Sequence, residues 1–279
     1  LWAMGHTGMS APVASVYKVG LHPEERPFSW LKNNYGWASM GGVLACLLAA
    51  RNFPGNTRIL DGQRGFWVMS GSDQCNWEAL TQGLGQNYVI TDVSFKPYAS
   101  CWLTHTTVES LERIMASATI EPAHIRRIRV LTTSELVERF NLRQPRDIID
   151  AQFSIPPLVG LTLAGFHLSH GLAEAHLYDP QVTQVAAKVQ MEVDPEADRL
   201  SKETMCWPST VIVEMDDGRT FKEHEVIGRG QRQPLTLNEV EAKFLRLTSP
   251  LVGETKARKL ASGVEQLPSM ADVAKLTGK

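Results

Sequence analysis

A cation, a phenol, a thiol and an imidazole stand within ten residues of one another in Lys96-Pro97-Tyr98-Ala99-Ser100-Cys101-Trp102-Leu103-Thr104-His105. Lys96 precedes a proline, so its backbone is held extended and its side chain leaves in a fixed direction. The stretch falls where two domains are expected to join, and small-molecule sites favour such clefts. On residue types alone, a surface lysine and a capping histidine are the commoner arrangement. Lys32, in Ser29-Trp30-Leu31-Lys32-Asn33-Asn34-Tyr35-Gly36, stands just ahead of a Gly- and Ala-rich helix. A helix N-terminus favours an anion, and Lys32 beside it can bind a carboxylate; a solvated loop lysine is the plainer reading. Gly228-Arg229-Gly230-Gln231-Arg232-Gln233-Pro234 is a flexible basic loop. Either Arg229 and Arg232 grip a carboxylate bidentately, or the loop is an interdomain linker.

Other chemistries fit poorly. His167, His170 and His176 have spacings that can share a metal on one helical face. Gly165 and Gly171 interrupt that helix, however, and no acidic ligand sits at a recognised offset, so solvated loop histidines and no metal are expected. Gly62, Gly65, Gly71, Gly83 and Gly85 match neither the dinucleotide nor the P-loop spacing. No G-x-S-x-G nucleophile elbow occurs. Cys46, Cys75, Cys101 and Cys206 are scattered without a C-x-x-C pair. That scatter argues against a zinc clip, a disulfide framework and an iron–sulfur cluster alike. Cluster-free chemistry in a reducing cytoplasm is the expectation.

These residues need elements to hold them. A chain of 279 residues exceeds what one core usually serves, so two compact units are expected. Tyr35 to Arg51 is rich in Ala, Gly and Leu, with Val43, Leu44, Leu47 and Leu48 at helical spacing, which predicts a buried helix with close neighbours. Residues 1–91 read as helix plus loops. From 92 to 227 helices alternate with short period-two runs, the pattern of a separate α+β domain. Val108, Leu111, Met115 and Ala118 share a helical face, and Ile128, Val130 and Thr132 alternate with Arg127, Arg129 and Leu131 in a half-exposed strand. Ser154 caps a helix opening on Pro156 and Pro157 and ending at Gly165, and Asp179-Pro180 repeats the device before Val182, Val185, Ala186 and Val189. Val211, Val213 and Met215, the turn Asp217-Gly218 and the return from Phe221 to Val226 predict a hairpin. Beyond 228, Thr236 and Glu239 form a capping box ahead of Val240, Phe244 and Leu247. The expected fold class is a two-domain chain: an all-α helical domain completed by both chain ends, 1–91 and 228–279, and a smaller α+β domain over 92–227.

A net charge of −2 gives no long-range attraction for nucleic acid or an anionic membrane, so neither is expected as a partner. An anionic ligand must then be held by local cations. No stretch has the apolar length of a membrane span, and the N-terminus lacks a signal peptide's basic and apolar regions. The chain opens on Leu1 without an initiator methionine, and an upstream segment is expected.

Taken in order, these segments resemble the MmgE/PrpD family across almost the whole chain. Lys32-Asn33-Asn34-Tyr35-Gly36-Trp37-Ala38 followed by Gly42-Val43-Leu44-Ala45 is similar to the family's lysine-to-glycine turn and its Ala-rich helix. Phe53-Pro54-Gly55, Ile59-Leu60-Asp61-Gly62 and Gly65-Phe66-Trp67 continue the likeness. So do Phe95-Lys96-Pro97-Tyr98 with Cys101 and His105, then Gln152-Phe153-Ser154-Ile155-Pro156, Asp179-Pro180, and Pro234-Leu235-Thr236 with Lys243-Phe244. The resemblance implies that the α+β domain is a lid, that the active site lies in the cleft beside it, and that the protein is a homodimer through the helical domain. It implies a cofactor-free lyase acting on a small polycarboxylic acid, as 2-methylcitrate dehydratase does, by eliminating water beside a carboxylate. Decarboxylation or epimerisation by a related member is the alternative.

Carried over by that resemblance, Lys32 and Lys96 neutralise substrate carboxylates and stabilise the enolate-like charge of deprotonation. Tyr98, Arg229 and Arg232 join them as substrate-binding residues. His105 is a candidate general acid or base, because imidazole titrates near neutral pH, or else it braces the lid. Two departures stand out. Pro157 replaces the tyrosine that many members carry after Ser-Ile-Pro, and the family's N-terminal helical segment, with an aspartate and further histidines, has no counterpart in this sequence. A non-catalytic half-subunit that needs a separate N-terminal chain is therefore a second expectation.

Overall fold

The computed structural model describes residues 1–10, 34–61, 65–69, 75–231 and 233–277. Its internal contacts divide it into two units, Leu1–Asp92 and Val93–Lys279. The segment from 228 onward groups with the second unit.

The described part of the first unit is helical: α1 (Trp2–Ser10), α2 (Asn34–Ala50), α3 (Phe66–Met69) and α4 (Trp77–Thr81), the last capped by the Asn76 side chain accepting from the Ala79 amide. Two glycines allow α1 to lie backbone to backbone on the turn after α2. A Cβ at Gly5 would stand 2.3 Å from the Asn56 carbonyl oxygen, and one at Gly55 2.3 Å from that of Trp2. His6 stacks on Phe53 beside them. The expectation of a buried α2 fails. Ala45 is buried, but Val43, Leu44 and Leu47 are exposed by 62%, 53% and 59%. Apolar residues circle this helix, and the described helices of the unit cover one side of it.

The second unit is built on a four-stranded sheet in the order β2-β1-β3-β4, from β1 (Ile125–Thr132), β2 (Val189–Val193), β3 (Ser209–Met215) and β4 (Thr220–Glu225). β1 runs parallel to β2 and antiparallel to β3, and β3 and β4 form the expected hairpin, turned at Gly218 with φ 91°. Alternation decides the faces. Ile128 and Val130 are fully buried, paired with Val213 and Val211. The opposite face is charged: Arg127 donates to Glu214 at 2.7 Å and Arg129 to Glu192 at 2.6 Å. A mixed sheet with one buried and one solvated face takes this pattern.

Helix α5 (His105–Ser117) packs on β3 and β4. Its buried face is Val108, Leu111 and Ile114, so Met115 and Ala118 sit at its margin and are half-buried. The chain then passes through α6 (Ser134–Arg139), α7 (Ile148–Gln152), α8 (Ile155–Leu163), α9 (Glu174–Leu177) and α10 (Pro180–Ala187) before β2. Every residue of α8 is buried, as befits a helix apolar all round. Pro156 and Pro157 open it as expected, but Ser154 does not cap it; the hydroxyl donates instead to the Asp150 carbonyl at 2.7 Å. Asp179 does cap α10, accepting from the Gln181 amide. Val189, expected on that helix, begins β2 instead, because β1 offers it a parallel partner in Ile128. After α11 (Pro195–Thr204) and the hairpin come α12 (Leu237–Val252), with both halves of the Thr236–Glu239 capping box in place, and α13 (Glu254–Glu265). Among the described residues no helix is long and apolar enough to cross a membrane.

A tight joint in the core lies where α8 meets α10, since a Cβ at Gly160 would lie 2.4 Å from the Val182 carbonyl oxygen. Gly160→Ala is therefore expected to lower the unfolding free energy by about 1–3 kcal/mol, read from urea denaturation. Gly42→Ala, on the α2 face where an added Cβ meets nothing within 4 Å, is expected to leave it unchanged or raise it by up to about 1 kcal/mol through helix propensity.

Candidate functional site

The chemistry-bearing stretch is a bend held to the core by main-chain hydrogen bonds. The Ala99 amide donates to the Leu168 carbonyl at 3.0 Å, and the Cys101 amide to that of Gln152 at 2.8 Å. Thr104 closes the bend, its hydroxyl donating to the Cys101 carbonyl at 2.8 Å. Lys96 stands at the exposed start of this bend, its ammonium donating to the Ser100 carbonyl at 3.3 Å. The proline after it is buried, so the lysine is carried on a fixed mount.

Tyr98 and His105 both lie inside. The Tyr98 ring belongs to the core cluster with Val108, Leu158 and Leu177, and its hydroxyl donates to Glu112 at 2.6 Å. Burial, with the Glu112 charge and that hydrogen bond, raises the phenol well above its usual range. It is a fixed donor at any ordinary pH. His105, the first residue of α5, is 1% exposed and stacked edge-on against Tyr98 at 5.1 Å between ring centres, with Trp102 at 4.9 Å on another side. Among the described residues its ring nitrogens meet no partner in hydrogen-bonding geometry. Burial first, then the Lys96 charge and that of Lys243, push its pKa down to about 3, against a weaker opposite pull from the Ser100 main chain. This imidazole is neutral at physiological pH, and its place in the packing is that of a brace.

The basic loop is a clamp on this bend. Gly230 has φ 89°, and a Cβ there would meet the Phe95 carbonyl oxygen at 2.6 Å. A Cβ at Gly228 would press on that of His105 at 3.0 Å. The Arg229 amide donates to Glu109 at 2.8 Å, and Trp102 donates through Nε1 to the Gln231 side chain at 2.6 Å. The Arg229 guanidinium pairs with Glu239. A flexible linker is not what these residues form, because two glycines give the backbone a contact that any side chain would block. Lys32 and Arg232, the other expected cations, lie outside the described residues.

Sequence reasoning passed over Lys243 as a site residue. It is half-buried on α12 and donates to the Lys96 carbonyl. The capping box fixes where α12 begins, and positions 239, 243 and 246 then fall on one face, so the signal was present in the spacing. That face, with Pro97, Tyr98, Glu112 and Arg229, lines a pocket of about 260 Å³. The three expected loop histidines line a second pocket of about 260 Å³, with His167 and His170 rings 5.3 Å apart and His176 stacked on Phe166 at 4.0 Å. The described residues contain no group of three or more His, Cys, Asp or Glu placed to hold a metal ion.

A histidine whose folded pKa lies below its unfolded value leaves the unfolded state binding more protons as pH falls through that unfolded value. For His105, with about 3 folded against about 6.5 unfolded, stability is fully present above about pH 6.5 and drains away below it. The expected loss is on the order of 1 kcal/mol per pH unit between pH 6 and pH 4. Urea unfolding at stepped pH should show it, with a shallower slope in His105→Gln.

Comparison with known proteins bears on the same stretch of chain. The chain is 24% identical to the cis-aconitate decarboxylase of Homo sapiens, over 87% of this chain and 51% of that protein. It is 21% identical to the cis-aconitate decarboxylase-like protein oryM of Aspergillus oryzae, over 87% of this chain and 53% of that protein. The chain thus spans about half the length of the curated relatives it matches. Residues 98–268, from the Tyr98 bend to the end of α13 and just beyond, match the MmgE/PrpD C-terminal domain. With more than half of its length matched, the chain belongs to the MmgE/PrpD family.

Proposed function

We propose that this chain contributes the C-terminal half of a cofactor-free lyase acting on a small polycarboxylic acid. The observation that carries the reading is the family match over 98–268 together with two relatives that both bear the name of a decarboxylase. The chemistry shared by such enzymes moves a proton beside a carboxylate, and the charge that develops must be met by a fixed cation. Lys96 suits that role, exposed on a bend whose amides are hydrogen-bonded to the core. Tyr98 and the neutral His105 then serve as positioning residues beneath it. Arg229, already paired with Glu239, supports the bend more than it meets a substrate.

Elimination of water from a 2-methylcitrate-like acid is one form of the reaction. Decarboxylation is the second, favoured by the names of both relatives. The protein is proposed to work as a dimer, with a helical domain completed by both chain ends and by further helices, from the same polypeptide or from a separate N-terminal chain. The uncovered side of α2 and the half-length match to the relatives support that completion.

The test supplies the protein with its upstream segment, or with the N-terminal half of a relative, and follows product formation. Carbon dioxide released from cis-aconitate marks the decarboxylase; loss of water from 2-methylcitrate marks the dehydratase. Lys96→Ala is expected to lower kcat/KM by about a hundredfold or more. A completed protein that turns over neither acid overturns the lyase reading.

A further inference from the structure

We propose that the pocket between the Pro97–Tyr98 bend and α12 is a binding site for a small carboxylate, held by Lys243 and Arg246. The choice of a carboxylate rests on the lyase reading above; the site itself does not, because Lys96 is not one of its lining residues.

The case is one of unbalanced charge in a formed cavity. The wall of this roughly 260 Å³ pocket carries Arg229, Lys243 and Arg246 against the carboxylates of Glu112 and Glu239. Three cations against two carboxylates leave the wall one positive charge in excess, and both acids already have donors. Glu112 accepts from Tyr98 at 2.6 Å. Glu239 takes the Arg229 guanidinium and, in the capping box, the Thr236 amide at 2.8 Å and hydroxyl at 2.9 Å. The cations left over are Lys243, whose hydrogen bond goes to the neutral Lys96 carbonyl, and Arg246, which meets no carboxylate among the described residues.

Several arginines elsewhere in the chain are paired with carboxylates, although Arg143 donates to a carbonyl. Arg113 reaches Glu225, Arg127 Glu214, Arg129 Glu192, Arg199 Glu196 and Arg258 Glu254. Lys243 and Arg246 are three residues apart on one helix, where like charges repel. Burial, and after it the Arg246 charge, lower the Lys243 pKa accordingly. A carboxylate seated between them accepts hydrogen bonds from both and removes that repulsion, while the Tyr98 ring and Leu235 give the pocket its apolar side. Charge-assisted hydrogen bonds of this kind are the strong ones.

Calorimetric titration of the full chain with citrate at low ionic strength tests this. Saturable binding is expected, weakened about tenfold or more by Arg246→Met and by Lys243→Met, and restored by Lys243→Arg. Thermal melting of Arg246→Met, an exposed position, should match the parent, which separates loss of the site from loss of the fold. Absence of saturable binding, or equal binding by parent and both variants, overturns the proposal. Binding lost in Lys96→Ala alone overturns it as well while favouring the lyase reading. Inorganic phosphate that displaces citrate at equal concentration overturns the carboxylate assignment. Turnover is not read in this titration, so failure of the pocket and failure of the lyase reading are distinguishable.

Discussion

The close approach of the Gly228–Gly230 backbone to the segment from Phe95 to His105 fixes most of what surrounds the candidate site. Main chain there lies against main chain and against a histidine Cβ, at separations a side chain would exclude. Once that contact is made, Trp102 can reach Gln231, the Arg229 amide can reach Glu109, and α12 starts where Lys243 meets the Lys96 carbonyl. Remove the approach and the bend carrying Lys96 keeps its core hydrogen bonds but loses its cover. The glycines are therefore better understood as contact residues than as sources of flexibility. Only a residue without a side chain lets two backbones meet this closely, and the positive φ at Gly230 adds a torsional reason for the same choice.

The same contact explains an electrostatic arrangement that would otherwise be costly. Lys96 and Lys243 both bear on His105, and a charged imidazole between them would be repelled from two sides while also losing its water. Burial resolves this by keeping the ring neutral. The positive charge is left at the rim, on Lys96, Lys243 and Arg246, where solvent or an anionic ligand can meet it. A ring that titrated near neutral pH would carry charge into the centre of this packing. The neutral brace and the cationic rim are thus two consequences of one burial.

Much of this was legible in the sequence. The hairpin of β3 and β4, the β1 alternation, the proline-opened helices α8 and α10 and the capping box of α12 follow from local rules, because turn chemistry and period act over a few residues. The likeness of these segments to the MmgE/PrpD family was equally plain, and the match over 98–268 shows that membership. What sequence could not give depends on contacts between distant residues. Nothing near Val189 says that Ile128 will pair with it and turn a helix end into a strand. Nothing near His105 says that Tyr98, Trp102 and Gly228 will close over it and hold it neutral. Lys243 was readable in part, since the capping box sets its face, but its target is a carbonyl 147 residues away.

Helix α2 was misjudged for a different and more informative reason. Its composition, apolar on every side, belongs to a helix buried all round, yet Val43, Leu44 and Leu47 face outward. Composition records the environment a helix suits, whereas exposure records the neighbours packed on it. The chain spans about half the length of the curated relatives it matches. The second unit offers the contrast, since α8 is equally apolar and every one of its residues is buried by helices of the same unit. A helix whose neighbours lie within its own unit reaches the burial its composition asks for. Helix α2 shows an uncovered apolar face among the described residues.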